Sequence, residues 1–139
     1  MNARRILTTF IDNISKYAAQ NDFQIIKHSD NIIELRGVSS LFLYIKTRSE
    51  EPYTWGITKS RLDNFHMRND LYAIILLAGS SEKGYFLTKS DIIYYVKEIW
   101  PLGKDGDYKV KPGKYLERNR ILSSLEDFLE LLTVLSKSE

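Results

Sequence analysis

Charged residues occur among the apolar ones between residues 29 and 49, and we consider Lys46 before the others. Lys46 directly follows the apolar run Leu41–Ile45. Lysine side chains are rarely buried, so a lysine at the end of a core-facing strand is unusual and requires an explanation. Asp30 and Glu34 precede that run, and carboxylate oxygens are the ligands that magnesium prefers. On one strand the two acids share a face, but they lie on the order of 13 Å apart. That separation is too large for both acids to hold one small metal ion.

Two predicted strands joined by a tight turn position these residues. The first strand contains Ile32–Arg36, the turn is predicted at Gly37–Ser40, and the second strand contains Leu41–Ile45. Aromatic and β-branched residues in the second strand suit a half-buried pleated surface. The sequence therefore predicts a β-hairpin with Lys46 at its end.

This hairpin resembles the central hairpin of the PD-(D/E)XK nuclease superfamily, the restriction-endonuclease-like fold that includes archaeal Holliday-junction resolvases. In that family an Asp opens one strand, and the next strand carries an acid, any residue and then Lys. By this resemblance, Lys46 falls on the family lysine and Ile45 on the variable position. Tyr44 stands where the second acid is expected, and Asn31 stands where the first Asp is expected, with Asp30 one residue before it.

The resemblance implies both a fold and a function. The fold is α+β (mixed α/β), with a central mixed sheet, an αβββαβ core over about residues 6–87 and C-terminal helices. In the family, two acids hold a divalent metal, and the lysine positions or activates the attacking water. A tyrosine hydroxyl stays protonated at neutral pH and is a poor magnesium ligand, so Tyr44 indicates a nuclease-like domain that has lost its metal site. We therefore expect a nucleic-acid-binding protein that does not cut and needs no cofactor.

Three alternatives remain open from the sequence. The first is a divergent magnesium-dependent endonuclease, with Asp30, Glu34 and Lys46 as catalytic residues, Asp30 and Glu34 as metal ligands, and Asp63 completing the site. The second is a structural or adaptor subunit that binds a protein partner. The third is an ordinary hairpin whose lysine side chain extends to solvent.

Composition sets broad limits on the class of protein. The chain has 139 residues, of which 43% are hydrophobic, and this fits one globular domain. It has no cysteine, which excludes a disulfide framework and thiolate chemistry and fits a cytoplasmic location. Two histidines are too few for an all-histidine zinc site, and a formal net charge of +2 does not by itself indicate a nucleic-acid partner. No apolar run is long enough to span a membrane.

Hydrophobic periodicity predicts the remaining elements. Helices are predicted over residues 2–20, 60–69, 91–100 and 124–137, and the caps of the last three are Ser60, Ser90 or Asp91, and Ser123 or Ser124. Further strands are predicted over residues 23–27, 53–57, 71–77 and 85–88. The nearly continuous apolar run 71–77 is typical of a strand that is buried on both faces. His28 is assigned to a turn over residues 28–31, and residues 101–122 are predicted to form a basic loop.

Candidate contacts to nucleic acid are basic residues and one tryptophan, near the hairpin and in the basic loop. They are Lys46, Arg48, Lys59, Arg61, Trp55, Lys109 and Lys111. Lysine and arginine neutralise phosphates and aromatic rings stack on bases, in DNA or in RNA. Trp55 is alternatively a core anchor. The basic loop, whose other cations are Lys104, Lys114, Arg118 and Arg120, is alternatively a solvated loop, because acids are mixed among its cations.

Apolar residues near the C-terminus recur at helical spacing. They are Leu125, Phe128, Leu129, Leu132 and Leu135. Such a stripe covers either a face of the sheet or a second subunit, so a homodimer through this helix is one predicted assembly.

Overall fold

The computed structural model describes residues 2–37, 39–117 and 120–137, and within these ranges it contains four α-helices, one 3₁₀ turn and eight strands. The helices are α1 (Ala3–Gln20), α2 (Lys59–Met67), α3 (Lys89–Glu98) and α4 (Leu125–Lys137), and the 3₁₀ turn is Lys114–Leu116. The strands are β1 (Gln24–Ser29), β2 (Ile32–Arg36), β3 (Ser40–Arg48), β4 (Trp55–Thr58), β5 (Tyr72–Ala78), β6 (Gly84–Thr88), β7 (Asp107–Val110) and β8 (Arg120–Leu122).

The central sheet has six strands in the order β1-β2-β3-β5-β6-β8. Neighbouring strands are antiparallel except β3 and β5, which are parallel, and α2 lies in the connection between those two. This mixed sheet with flanking helices confirms the predicted α+β class. The order α1, β1, β2, β3, α2, β5 is present in the chain, with β4 inserted after β3.

Apolar residues are buried on both sides of the central sheet, and we name each face by the helix that covers it. On the α1 face, α1 and α4 pack on the sheet, and the ring centroids of Phe10 and Phe128 lie 5.2 Å apart. On the α2 face, the sheet is covered by α2, α3 and the β4–β7 pair, and Tyr72 stacks on Phe65 at 4.6 Å. Strand β5 is buried on both faces, as its unbroken apolar run predicts.

The apolar stripe of α4 lies against the sheet. Phe128 and Leu132 are fully buried in the same cluster as residues of α1 and the sheet. Ser124, one of the two predicted caps, accepts a hydrogen bond from the backbone N–H of Asp127 at 3.3 Å. Of the two predicted roles, the stripe therefore covers a sheet face, and its buried residues are not available to a second subunit.

The segment predicted as a basic loop contains two short strands, so the prediction is wrong over residues 107–110 and 120–122. Strand β7 pairs with β4 in a separate two-stranded sheet, and β8 pairs with β6 at the edge of the central sheet. In β7, Tyr108 and Val110 are buried and Lys109 between them is exposed. This alternation is too short to stand out among charged neighbours. Arg118 and the side chain of Arg120 lie outside the part of the chain that the structure describes.

Strand β1 ends two residues later than predicted and therefore includes His28, which was assigned to a turn. The register between β1 and β2 shifts between Lys27 and Ser29, so a β-bulge lies at His28. A bulge redirects a side chain within a strand. The His28 ring lies on the α2 face, with its centroid 5.2 Å from that of Phe42.

A threonine, rather than a serine or an aspartate, caps α3. The helix begins after Thr88, so the predicted caps Ser90 and Asp91 lie within its first turn. The Thr88 hydroxyl accepts a hydrogen bond from the Asp91 N–H at 3.4 Å and donates one to Asp91 Oδ2 at 3.0 Å. Helix α2 likewise begins one residue earlier than predicted.

Replacing Thr88 with alanine is expected to lower the free energy of unfolding by about 1 kcal/mol, because the Asp91 N–H loses its acceptor. Urea denaturation followed by far-UV circular dichroism measures this change. Thr88→Ser keeps the hydroxyl and is the matched control, expected to stay close to the parent. A larger loss for Ser90→Ala than for Thr88→Ala would contradict this assignment of the cap.

Candidate nucleic-acid interface

Lys46 and Tyr44 lie two residues apart on β3, so their side chains are on the α2 face of the sheet. Tyr44 is 1% exposed, and its hydroxyl accepts a hydrogen bond from the backbone N–H of Thr58 at 3.4 Å. This bond connects β3 to the junction of β4 and α2. Lys46 is half-buried and, within the described ranges, makes no ion pair or hydrogen bond through its ammonium group.

Arg61 of α2 brings a second cation to this position. Its guanidinium carbon lies 5.9 Å from the centroid of the Tyr44 ring, which is within the range of a cation–π contact. No carboxylate of the described residues forms an ion pair with Arg61. Arg48 follows two residues after Lys46 on β3 and is exposed. We refer to Lys46, Arg48 and Arg61 as the Lys46 cluster.

Arg48 has a more acidic environment than the other two cations. It lines a shallow cavity of about 300 Å³ together with Glu50 and Glu51. Because both carboxylates are exposed, they would repel a phosphate that approaches this guanidinium group. The cations best placed to meet an anionic ligand are therefore Lys46 and Arg61.

The structure does not bring the predicted acids to Lys46. Asp30 lies in the β1–β2 turn, its side chain is 95% exposed, and it faces a cleft of about 380 Å³ beside α1. Glu34 is buried on the opposite, α2 face, and Asp63 forms an ion pair with Lys59 at 2.7 Å. Within residues 2–37, 39–117 and 120–137, no three acid or histidine side chains are grouped so that they could hold a metal. Asp30 and Glu34 therefore do not fit one magnesium site.

The other predicted basic contacts occupy two kinds of environment. Lys59 pairs with Asp63, and Lys109 pairs with Asp105 at 2.7 Å; these hydrogen bonds raise the pKa of each lysine. Lys111 lies 5.7 Å from the centroid of the Tyr115 ring, and Lys114 lies 5.5 Å from it. Both lysines are exposed and lie near the same tyrosine ring.

Trp55 is a core residue. It is 2% exposed, and its Nε1–H donates to the carbonyl oxygen of Leu77 at 3.4 Å. Its ring is therefore not available to stack on a base. Of the two predicted roles for Trp55, the structure supports the core anchor.

Glu34 is a buried carboxylate at the centre of a polar network that the sequence did not reveal. The carboxylate accepts hydrogen bonds from Arg36 Nε at 2.9 Å, Arg36 Nη2 at 3.2 Å and Ser40 Oγ at 2.7 Å, and His28 Nε2 lies 2.8 Å from Oε1. Burial raises the pKa of Glu34, but the hydrogen bonds from Arg36, His28 and Ser40 together lower it further, to about 2. We refer to these four residues as the Glu34 network.

One signal in the sequence could have identified part of this network. In the β2–β3 hairpin Arg36 pairs with Ser40, and Glu34 lies two residues before Arg36 on the same face. A register assigned from the turn therefore places those three side chains together. The contribution of His28 depends on the bulge in β1, which has no comparable signal.

Comparisons with known proteins do not test the resemblance to nucleases. No protein-family model matches the chain, and no curated protein sequence matches it significantly. The likeness therefore depends on the hairpin residues and on the order of the elements.

None of the helices in the described ranges has the length and apolar character needed to cross a membrane.

Proposed function

We propose that this chain is a nucleic-acid-binding protein, with a fold of the PD-(D/E)XK nuclease type, that binds phosphates through Lys46 and Arg61 and does not cleave the strand. The observation that carries this proposal is the position of two cations beside Tyr44, where the family has its metal site. Neither cation has a carboxylate partner among the described residues. Phosphate oxygens would supply the missing anionic partner.

We expect binding without cleavage because of the side chains near Lys46. Tyr44 replaces the expected acid, and its buried hydroxyl is already hydrogen-bonded to Thr58. Asp30 and Glu34 lie on different sides of the sheet. Because the described residues place no carboxylate pair beside Lys46, the cluster supports electrostatic binding rather than metal-assisted hydrolysis.

The expected result is salt-sensitive binding that weakens when either cation is removed. The Lys46→Ala/Arg61→Ala double variant should lose about tenfold in affinity, because two charge-assisted phosphate contacts disappear. Fluorescence anisotropy with labelled duplex, single-stranded and four-way-junction DNA and with RNA, from about 50 to 200 mM salt, measures affinity and its salt dependence. Each single variant should reduce the slope of log affinity against log salt by about 1.

Lys97→Ala is the matched control, because Lys97 is an exposed lysine on α3, a helix that packs on β5 and β6. It should leave affinity nearly unchanged. The same substrates incubated with magnesium, manganese or a chelator test for cleavage, and intact substrates are expected in all three. Metal-dependent cutting that Lys46→Ala abolishes would contradict the proposal in favour of a divergent nuclease. Absence of binding to every substrate would contradict nucleic-acid binding altogether.

A further inference from the structure

A second group of basic side chains lies near Phe42, at the end of β3 that is distant from Lys46. Arg36 Nη2 and His28 Nε2 both contact the same oxygen of Glu34, at 3.2 Å and 2.8 Å, so these two side chains are neighbours. The His28 ring centroid lies 5.2 Å from that of Phe42, and the Arg68 guanidinium carbon lies 5.5 Å from the same centroid. His28 of β1 and Arg68 at the end of α2 thus contact one aromatic ring, and Arg36 of β2 lies beside His28.

The basic side chains of this group are more exposed than the acids that pair with them. The side chains of His28, Arg36 and Arg68 are 38%, 54% and 60% exposed. Glu34 is only 3% exposed at its side chain and Asp70, which lies 2.8 Å from Arg68 Nη2, is 19% exposed. The basic groups of His28, Arg36 and Arg68 therefore lie at the surface of this group, and the less exposed carboxylates fix their positions.

Donors remain free for a ligand. Among the described residues, Nη1 of Arg36 makes no hydrogen bond, because Glu34 accepts only from Nε and Nη2 of that guanidinium. His28 contacts Glu34 through Nε2, so its Nδ1 donates to a phosphate when the imidazole carries both protons. The backbone N–H groups of residues 68–70 satisfy carbonyls at the end of α2, which reduces the negative potential of that helix end.

We propose that Arg36, His28 and Arg68 form a binding site for a phosphate group, distinct from the Lys46 cluster. Guanidinium groups match the oxygens of phosphate in a forked geometry, and a tetrahedral anion can accept hydrogen bonds from several directions at once. The phosphate is either inorganic phosphate or a phosphate carried by a nucleic-acid strand. The site does not require the proposed function, because none of its residues belongs to the Lys46 cluster.

Inorganic phosphate is the first probe, titrated into the ¹⁵N-labelled full chain at constant ionic strength with chloride as the balancing anion. Saturable shifts of the His28 imidazole and Arg36 side-chain resonances are expected. Arg68→Ala should weaken phosphate affinity about tenfold, since one forked contact is removed. This variant leaves every hydrogen bond of Glu34 intact, so we expect it to fold, and circular dichroism checks that it does. A loss of phosphate affinity is then not caused by a loss of folding. Lys97→Ala, at an exposed position of α3 that belongs to neither proposed site, is the control and should bind phosphate like the parent.

A second arm distinguishes the source of the phosphate. Oligonucleotides with and without a 5′-phosphate are compared in the parent and in Arg68→Ala. A preference for the phosphorylated strand that Arg68→Ala removes would support the site and assign the phosphate to a strand. No phosphate-specific shift together with no such preference would overturn the inference. If nucleic-acid affinity still depended on Lys46 in that case, the proposed function would stand without this phosphate site.

Discussion

Replacing Trp55 with alanine is expected to lower the free energy of unfolding by about 3–5 kcal/mol, because the change leaves a large cavity in the core. The ring is 2% exposed, lies 6.1 Å from Tyr53 in a stacked arrangement and contacts Tyr85 edge-on at 5.9 Å. The indole N–H also donates to Leu77. For a domain of this size the loss corresponds to a fall in Tm on the order of 10 °C.

Urea denaturation followed by far-UV circular dichroism measures this change independently of tryptophan fluorescence. Trp55→Phe keeps an aromatic ring and should lose less than Trp55→Ala, while Met67→Ala, at a residue that is 84% exposed, should lie within about 0.5 kcal/mol of the parent. Nucleic-acid affinity of Trp55→Phe should equal that of the parent. A Trp55→Ala variant that keeps full stability and loses affinity would show instead that the ring is a contact surface.

Long elements with strong periodicity were predictable from the sequence. Helix α1, the stripe of α4 and the unbroken apolar run of β5 all lie where their patterns predict them, because each buries a continuous set of side chains. The β2–β3 hairpin was also predictable, since its strands are adjacent in the chain and joined by a short turn. These elements are sufficient to predict the mixed sheet.

The β4–β7 sheet was not predictable from local patterns. Each strand has four residues, and the pairing of Trp55 with Val110 joins parts of the chain that are far apart in sequence. Strand β7 gains its stability from burial of Tyr108 and Val110 against the α2 face, which depends on the completed fold. The same contacts bury Trp55 and remove it from the candidate interface.

The charged residues were harder to place than the apolar ones. Glu34 interrupts the apolar residues of β2, and a single carboxylate there is equally consistent with a surface position, a ligand or a buried ion pair. Which of these it adopts depends on His28 and Ser40, each six residues away, and on the bulge in β1. Likewise, the proximity of Arg61 to Tyr44 depends on how α2 packs over the sheet.

The stability of the protein is expected to fall by about 3 kcal/mol between pH 6 and pH 2 through Glu34 alone. The pKa of this group is lowered from its ordinary value of 4.5 to about 2, chiefly because Arg36, His28 and Ser40 hydrogen-bond the ionised carboxylate and so outweigh the effect of its burial. A group whose pKa is lower in the folded state stabilises the fold above its unfolded pKa. That stabilisation is lost as the pH falls from about 4.5 through about 2, where the folded carboxylate becomes protonated.

Glu34→Gln tests this expectation because it removes the ionisation and retains a side chain of nearly the same shape. At pH 6 the variant should be less stable than the parent, and the difference should shrink by about 2 kcal/mol by pH 3, as measured by urea denaturation at each pH. Glu98→Gln, at an exposed position of α3 without an ion pair among the described residues, is the control and should follow the parent at every pH. Parallel pH profiles for Glu34→Gln and the parent would mean that folding does not lower the pKa of Glu34, and the hydrogen bonds of the Glu34 network would then not stabilise the ionised carboxylate.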